Sequence, residues 1–122
     1  MNKMKLWIDD VRPAPAGYVW CKSVNKTKKA IIDYEMYCNG SLDELDFDWL
    51  DFLAYNDPNA IEVIDIDHDA GDFVYDGGDY IKLLDWLEET GCNYPIRIHS
   101  MNVVGVANMR AIIQRNGWKE IK

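Results

Sequence analysis

The sequence predicts an α/β fold: a mostly parallel, five-stranded sheet with helices on both faces. Two observations carry this reading. Short apolar runs at 5–8, 61–66 and 95–98 each end abruptly in charged or polar residues, and segments of helical periodicity separate them. Strands alternating with helices imply right-handed βαβ crossovers. A chain of 122 residues, 48% hydrophobic and 12% aromatic, is the size of one domain and can bury a core, so residues 1–122 are read as a single domain.

Taken in order, Lys5-Leu6-Trp7-Ile8 is a buried strand that breaks at Asp9-Asp10 into a polar loop reaching Gly17. Tyr18-Val19-Trp20-Cys21 is β-prone, and Ser23 is placed to cap a helix through Lys26–Met36, stopped by Asn39-Gly40. Between Ser41 and Ala60, Leu42, Leu45, Trp49, Leu50, Phe52 and Leu53 recur at roughly helical spacing until Asn56-Asp57-Pro58-Asn59 interrupts them. Ile61–Ile66 is the clearest strand. Tyr80–Glu89 is an amphipathic helix stopped by Gly91. Pro95–Ile98 is a further strand, and Val104–Gln114 a last helix with Val106, Met109, Ile112 and Ile113 inward. Trp118–Ile121 closes the chain as a fifth strand. Trp7, Trp20, Trp86 and Trp118 lie within apolar segments and read as core.

Charge and cysteine usage exclude several functions. Acidic residues outnumber basic ones 21 to 13, and the net charge of -8 opposes the phosphate contacts that dominate binding to duplex DNA. A small anionic substrate is still compatible with this charge, because a divalent cation inverts the local field among carboxylates. Cys21, Cys38 and Cys92 are an odd number without CxxC spacing, which points to neither a disulfide framework nor a zinc knuckle. Reduced thiols and a cytoplasmic location fit. The first residues reach Asp9-Asp10 before a signal-peptide stretch forms, and no apolar run reaches membrane-spanning length.

In open α/β sheets ligands bind beyond the carboxyl ends of the strands. Asp9-Asp10, Asp67-His68-Asp69 and His99-Ser100 each follow such an end. Asp9 and Asp10 suit a hard cation such as Mg²⁺, and read equally as an Asx turn before Arg12-Pro13. Asp65, Asp67 and Asp69 alternate like the start of an EF-hand loop. Ala70 stands where that loop needs glycine, Asp76 where it needs glutamate, and a strand precedes it, all of which argue against calcium. Asp67 is the stronger site residue, while Asp65 reads as a strand residue that needs a partner. His68 and His99 are the only histidines. One alone reads as a loop residue, whereas two at neighbouring strand ends suit general acid and base on a phosphodiester. Ser100 and Asn102 are placed to contact phosphoryl oxygens, although Ser100 also reads as the cap of the last helix.

The order of these residues resembles the cyclic-phosphate-processing receiver family: Leu6-Trp7-Ile8-Asp9-Asp10-Val11-Arg12-Pro13, then Asp67-His68-Asp69 with Gly71, then His99-Ser100-Met101-Asn102 with Gly105, Asn108 and Met109. The resemblance spans nearly the whole chain. It implies a receiver-like, flavodoxin-like fold, here with the last helix absent, and a bacterial or phage protein. It also implies processing of a cyclic nucleotide or of an RNA 2′,3′-cyclic phosphate end. The family's polar pattern falls on Asp9, Asp10, Arg12, Asp67, His68, Asp69, His99, Ser100 and Asn102, which makes Arg12 a phosphate contact. Val103 and Val106 stand where the family usually has proline and arginine.

The expected function is thus that of a phosphoesterase. Asp9, Asp10, Asp67 and Asp69 hold Mg²⁺, His68 and His99 exchange protons beside Asp67, and Arg12, Ser100 and Asn102 bind the substrate. The alternative is a non-catalytic receiver-like module that binds a partner protein, with Asp67 as phospho-acceptor. The lysine that phosphorelay receivers carry after the fifth strand has no counterpart.

Overall fold

A computed structural model describes residues 2–38 and 56–122. Its elements are β1 (Asn2–Ile8), β2 (Tyr18–Cys21), α1 (Val24–Cys38), β3 (Asn56–Ile66), a 3-10 turn (Gly71–Phe73), α2 (Ile81–Thr90), β4 (Ile96–Ile98) and α3 (Val103–Asn116). The four strands form one sheet in the order β2-β1-β3-β4, and every pairing is parallel. This is the parallel α/β architecture that the alternation predicts and the receiver-like fold that the resemblance implies.

The crossovers from β2 to β3 and from β3 to β4 step the same way across the sheet. Right-handed connections therefore lay α1 and α2 on one face, and α2 packs against both α1 and α3. The core forms there. Leu6, Ile8, Ile64, Ile66 and Ile96 are fully buried on the sheet side, and Ile31, Leu83, Leu84, Leu87, Met109 and Ile113 come from the helices. Each such side chain contributes about 1.5–3 kcal/mol on leaving water. No helix joins β1 to β2; a loop does so, as its prolines suggest.

Ser23 caps α1 as expected, its Oγ accepting from the Lys26 N–H at 3.1 Å, and Gly91 ends α2 in the left-handed conformation, φ 74°. Four expectations need correction. Residues 56–60 do not end a helix but open β3. Pro58 is accommodated because the pairing with β1 slips between Asn2 and Met4, so that no regular ladder bond is asked of it. The closing segment gives a single parallel bridge, Ile96 to Glu120, where a fifth strand was expected. Val106 is only half-buried; the inward face of α3 carries Gly105, Met109, Ile112 and Ile113. Trp20 is 37% exposed and not core. The expected helix between 41 and 55, with Trp49, and its predecessor's stop at Asn39-Gly40 lie outside the described residues. No described helix is long and apolar enough to cross a membrane.

Helices α2 and α3 are also clasped at their ends. Arg115 donates to both oxygens of Glu88, at 2.7 and 2.8 Å, and Asn116 donates at 2.6 Å. The Arg115 bonds first, and Asn116 second, hold the Glu88 carboxyl at about 2 against an ordinary 4.5. Ionised Glu88 therefore stabilises the fold fully above pH 4.5, and that contribution is lost as pH falls towards 2. Thermal melts of Glu88→Gln should lack this part of the wild-type pH dependence, whereas parallel Tm curves for the two proteins would exclude the clasp.

Candidate functional site

One register row builds the site. Ile8 pairs with Cys21 and Ile66, and Ile66 pairs with Ile98, so Asp9, Asp67 and His99 are the next residues of three adjacent strands. Their backbones keep the ladder going. The Asp9 N–H donates to Cys21 O at 3.4 Å, the Asp67 N–H to Ile8 O at 2.9 Å, and the His99 N–H to Ile66 O at 2.9 Å. Adjacent strands lie about 4.8 Å apart, and side chains two residues apart share a face. Asp9, Asp67 and His99 therefore project from the face that carries Trp7, Asp65 and Arg97 one row earlier.

That earlier row supports the site. His99 Nδ1 meets Asp65 Oδ1 at 2.6 Å, and its Nε2 meets Asp9 Oδ2 at 2.9 Å. Asp65, 2% exposed, takes its second bond from Arg97 Nη1 at 2.9 Å. The imidazole lies flat on Trp7, ring centroids 3.9 Å apart and planes 5° apart. Both ring nitrogens of His99 thus face carboxylates, and a neutral imidazole can donate to only one of them. The Trp7 indole N–H donates to Arg12 O at 2.9 Å. Trp7 and Asp65, read from the sequence as core and as a supporting residue, are what hold His99. The signal was the repeated i, i+2 spacing of Trp7/Asp9, Asp65/Asp67 and Arg97/His99.

A second network meets Asp67 through the backbone of His68. Asp67 Oδ1 accepts from the His68 N–H at 2.7 Å. His68 Nδ1 meets Asp69 Oδ1 at 2.8 Å, and Asn102 Nδ2 lies 3.3 Å from the same oxygen. Asn102 Oδ1 in turn accepts from the Gly105 N–H at 2.9 Å, capping α3. The His68 ring lies so close over Gly105 that a Cβ there would collide with it; only glycine leaves that space. Asn102 is therefore the cap. Ser100, the residue expected in that role, accepts instead from the Asn102 N–H at 3.1 Å. Arg12 reaches the rim, with Nη1 3.5 Å from His99 O. The two histidines stand in separate hydrogen-bond networks, with no hydrogen bond between them among the described residues.

The charges are tuned against one another. Burial raises the Asp9 pKa, but the Arg12 and Val11 N–H groups and then His99 lower it further, so Asp9 lies below the ordinary carboxylate value. Asp10 goes the other way. Burial raises it first, its own backbone N–H lowers it, and the charges of Asp9, Asp67 and Asp72 raise it again. Its carboxylate lies against Gly71. Tyr80 is raised well above its usual value by burial and then by Asp10, Asp9 and Asp67, and its hydroxyl donates to Lys22 O at 2.8 Å.

These residues fit a divalent cation. Asp9, Asp67 and His99 each offer one ligand atom, all within 4.8 Å of one another. Two carboxylate oxygens suit Mg²⁺ or Mn²⁺, and an imidazole nitrogen extends the range towards Zn²⁺. His99 ligates only through an unprotonated nitrogen, so an ion would replace the hydrogen between Nε2 and Asp9. Asp10 and Asp69, expected as ligands, lie outside this closest group.

In comparison with known proteins, the family model described as the cyclic-phosphate processing receiver domain aligns with residues 4–115. Neither a curated protein nor a solved structure matches the chain.

The raised Asp10 pKa has a measurable consequence. Its neutral form stabilises the fold below the ordinary value of 3.8, and this stability is lost as pH rises through the raised folded value. Without divalent ions, Asp10→Asn should therefore raise Tm at pH 7 by roughly 1–3 °C and leave it unchanged at pH 3. A lower Tm at pH 7 would mean that the Asp10 charge is compensated.

Proposed function

The chain belongs to the cyclic-phosphate processing receiver domain family, and on that premise we propose that it hydrolyses a cyclic phosphate at the carboxyl edge of its sheet. The observation that supports this most is the meeting of Asp9, Asp67 and His99 in one row, with the Asp69–His68 pair beside it. A cation held by Asp9, Asp67 and His99 would neutralise a phosphate that the carboxylates alone would repel, and would polarise its P–O bonds.

The remaining work falls to the chain's own side chains. Asp69 accepts from His68 Nδ1–H and so leaves Nε2 as the basic nitrogen. His68 Nε2 takes a proton from water as the water oxygen bonds to phosphorus. One ring P–O bond breaks, the departing sugar oxygen takes a proton from solvent, His68 later returns its own to solvent, and a phosphate monoester results. His99, held by Asp65 at Nδ1 and turned to the cation at Nε2, would serve as a ligand instead of exchanging protons with substrate. Arg12 at the rim and the Ser100–Asn102 turn at the start of α3 supply donors for phosphoryl oxygens.

The competing reading is a non-catalytic receiver-like module. ³¹P NMR of the pure protein with 2′,3′- and 3′,5′-cyclic nucleotides separates the two. Hydrolysis should yield a monoester in Mg²⁺ or Mn²⁺, stop in EDTA, and fall by about 10²–10⁴-fold in His68→Ala. No turnover of either nucleotide under any of these conditions would leave the non-catalytic module; undiminished turnover in His68→Ala would remove that residue from the chemistry.

A further inference from the structure

Beside the carboxylates runs an aromatic shelf that the chemistry above does not use. It begins at the site itself, where the Trp20 indole N–H donates to Asp9 O at 2.8 Å. The Lys22 ammonium lies over the Trp20 ring, 4.5 Å from its centroid, and 5.9 Å from that of Phe73. Phe73 packs on Tyr75, with centroids 6.4 Å apart and planes at 28°. The outer end, Tyr75, is 80% exposed.

The shelf is held in place from below. Phe73 belongs to the turn that begins at Gly71, against the Asp10 carboxylate. Asp76, next after Tyr75, accepts from Ser23 Oγ at 2.6 Å and Asn25 Nδ2 at 3.2 Å, and its carbonyl accepts from the Asn25 N–H at 3.0 Å. The rings are therefore anchored at the start of α1 while Tyr75 stays in solvent. Exposed rings with a cation among them, adjoining a phosphate site, are the combination that binds nucleobases by stacking and their phosphates by charge. A cyclic phosphate without a base would leave this surface unused.

We propose that Trp20, Lys22, Phe73 and Tyr75 form a base-stacking subsite, so that the ligand of the neighbouring site is a nucleoside cyclic phosphate. The proposal rests on the cyclic-phosphate reading and adds the base to it. Calorimetric titration of the divalent-loaded protein with adenosine 2′,3′-cyclic phosphate and with base-free 1-O-methylribose 2′,3′-cyclic phosphate tests it. The nucleotide should bind about tenfold more tightly than the base-free compound, and Tyr75→Ala should remove that advantage while leaving base-free binding unchanged. Lys22→Met should weaken both, since the phosphate is common to them. Equal affinity of the two compounds, or an unchanged nucleotide affinity in Tyr75→Ala, overturns the subsite and leaves the cyclic-phosphate reading standing. Binding of neither compound overturns both.

Discussion

Three backbone N–H groups, those of Asp9, Asp67 and His99, donate back into the neighbouring strand one residue beyond each strand's end. Everything at the carboxyl edge depends on that continuation. It sets three side chains from distant parts of the chain at one height and on one face, because side-chain direction alternates with period two. A slip of one residue in either the β1–β3 or the β3–β4 pairing would turn one of them to the opposite face. The apolar row beneath, Ile8, Ile66 and Ile98, keeps the register in place: Ile8 and Ile66 are fully buried and Ile98 packs against the same core.

Having gathered carboxylates, the fold must balance them. Asp9 is held ionised by two backbone N–H groups and His99, in spite of its burial. Asp65 is matched by Arg97 and His99, and no buried side-chain nitrogen or oxygen among the described residues lacks a partner. Asp10 is the group left raised, by burial first and then by the charges of Asp9, Asp67 and Asp72. That uneven balance costs stability, and a cation held by Asp9, Asp67 and His99 would relieve it. The same cation would let an anionic phosphate approach a chain of net charge -8.

Much of this was legible in the sequence, and the gaps have physical causes. Strand ends were marked by abrupt polarity, so Asp9, Asp67 and His99 could be placed at one edge. The bounds of β2 and the stop at Gly91 follow from local propensity alone. The support beneath the site did not follow, since Trp7 and Asp65 acquire their meaning from register and strand order, which no single segment encodes. Trp7 sits in an apolar run, as a core residue would, and only its stacking on His99 distinguishes it. Ser100 and Asn102 are both competent caps; which of them serves depends on where α3 starts, a matter of one or two residues. Residues 56–60 read as a break because Pro58 seldom sits within a strand, and the irregular pairing that admits it is a tertiary feature.

The assignment of Asp9, Asp67 and His99 to a cation is the step on which the chemistry turns. It is tested most directly by titrating the metal-free protein with Mn²⁺ and following bound ion by electron paramagnetic resonance. One ion should bind per chain, with affinity reduced at least about tenfold in Asp67→Asn and retained in His68→Ala. No saturable ion, or an affinity unchanged by Asp67→Asn, would contradict the assignment.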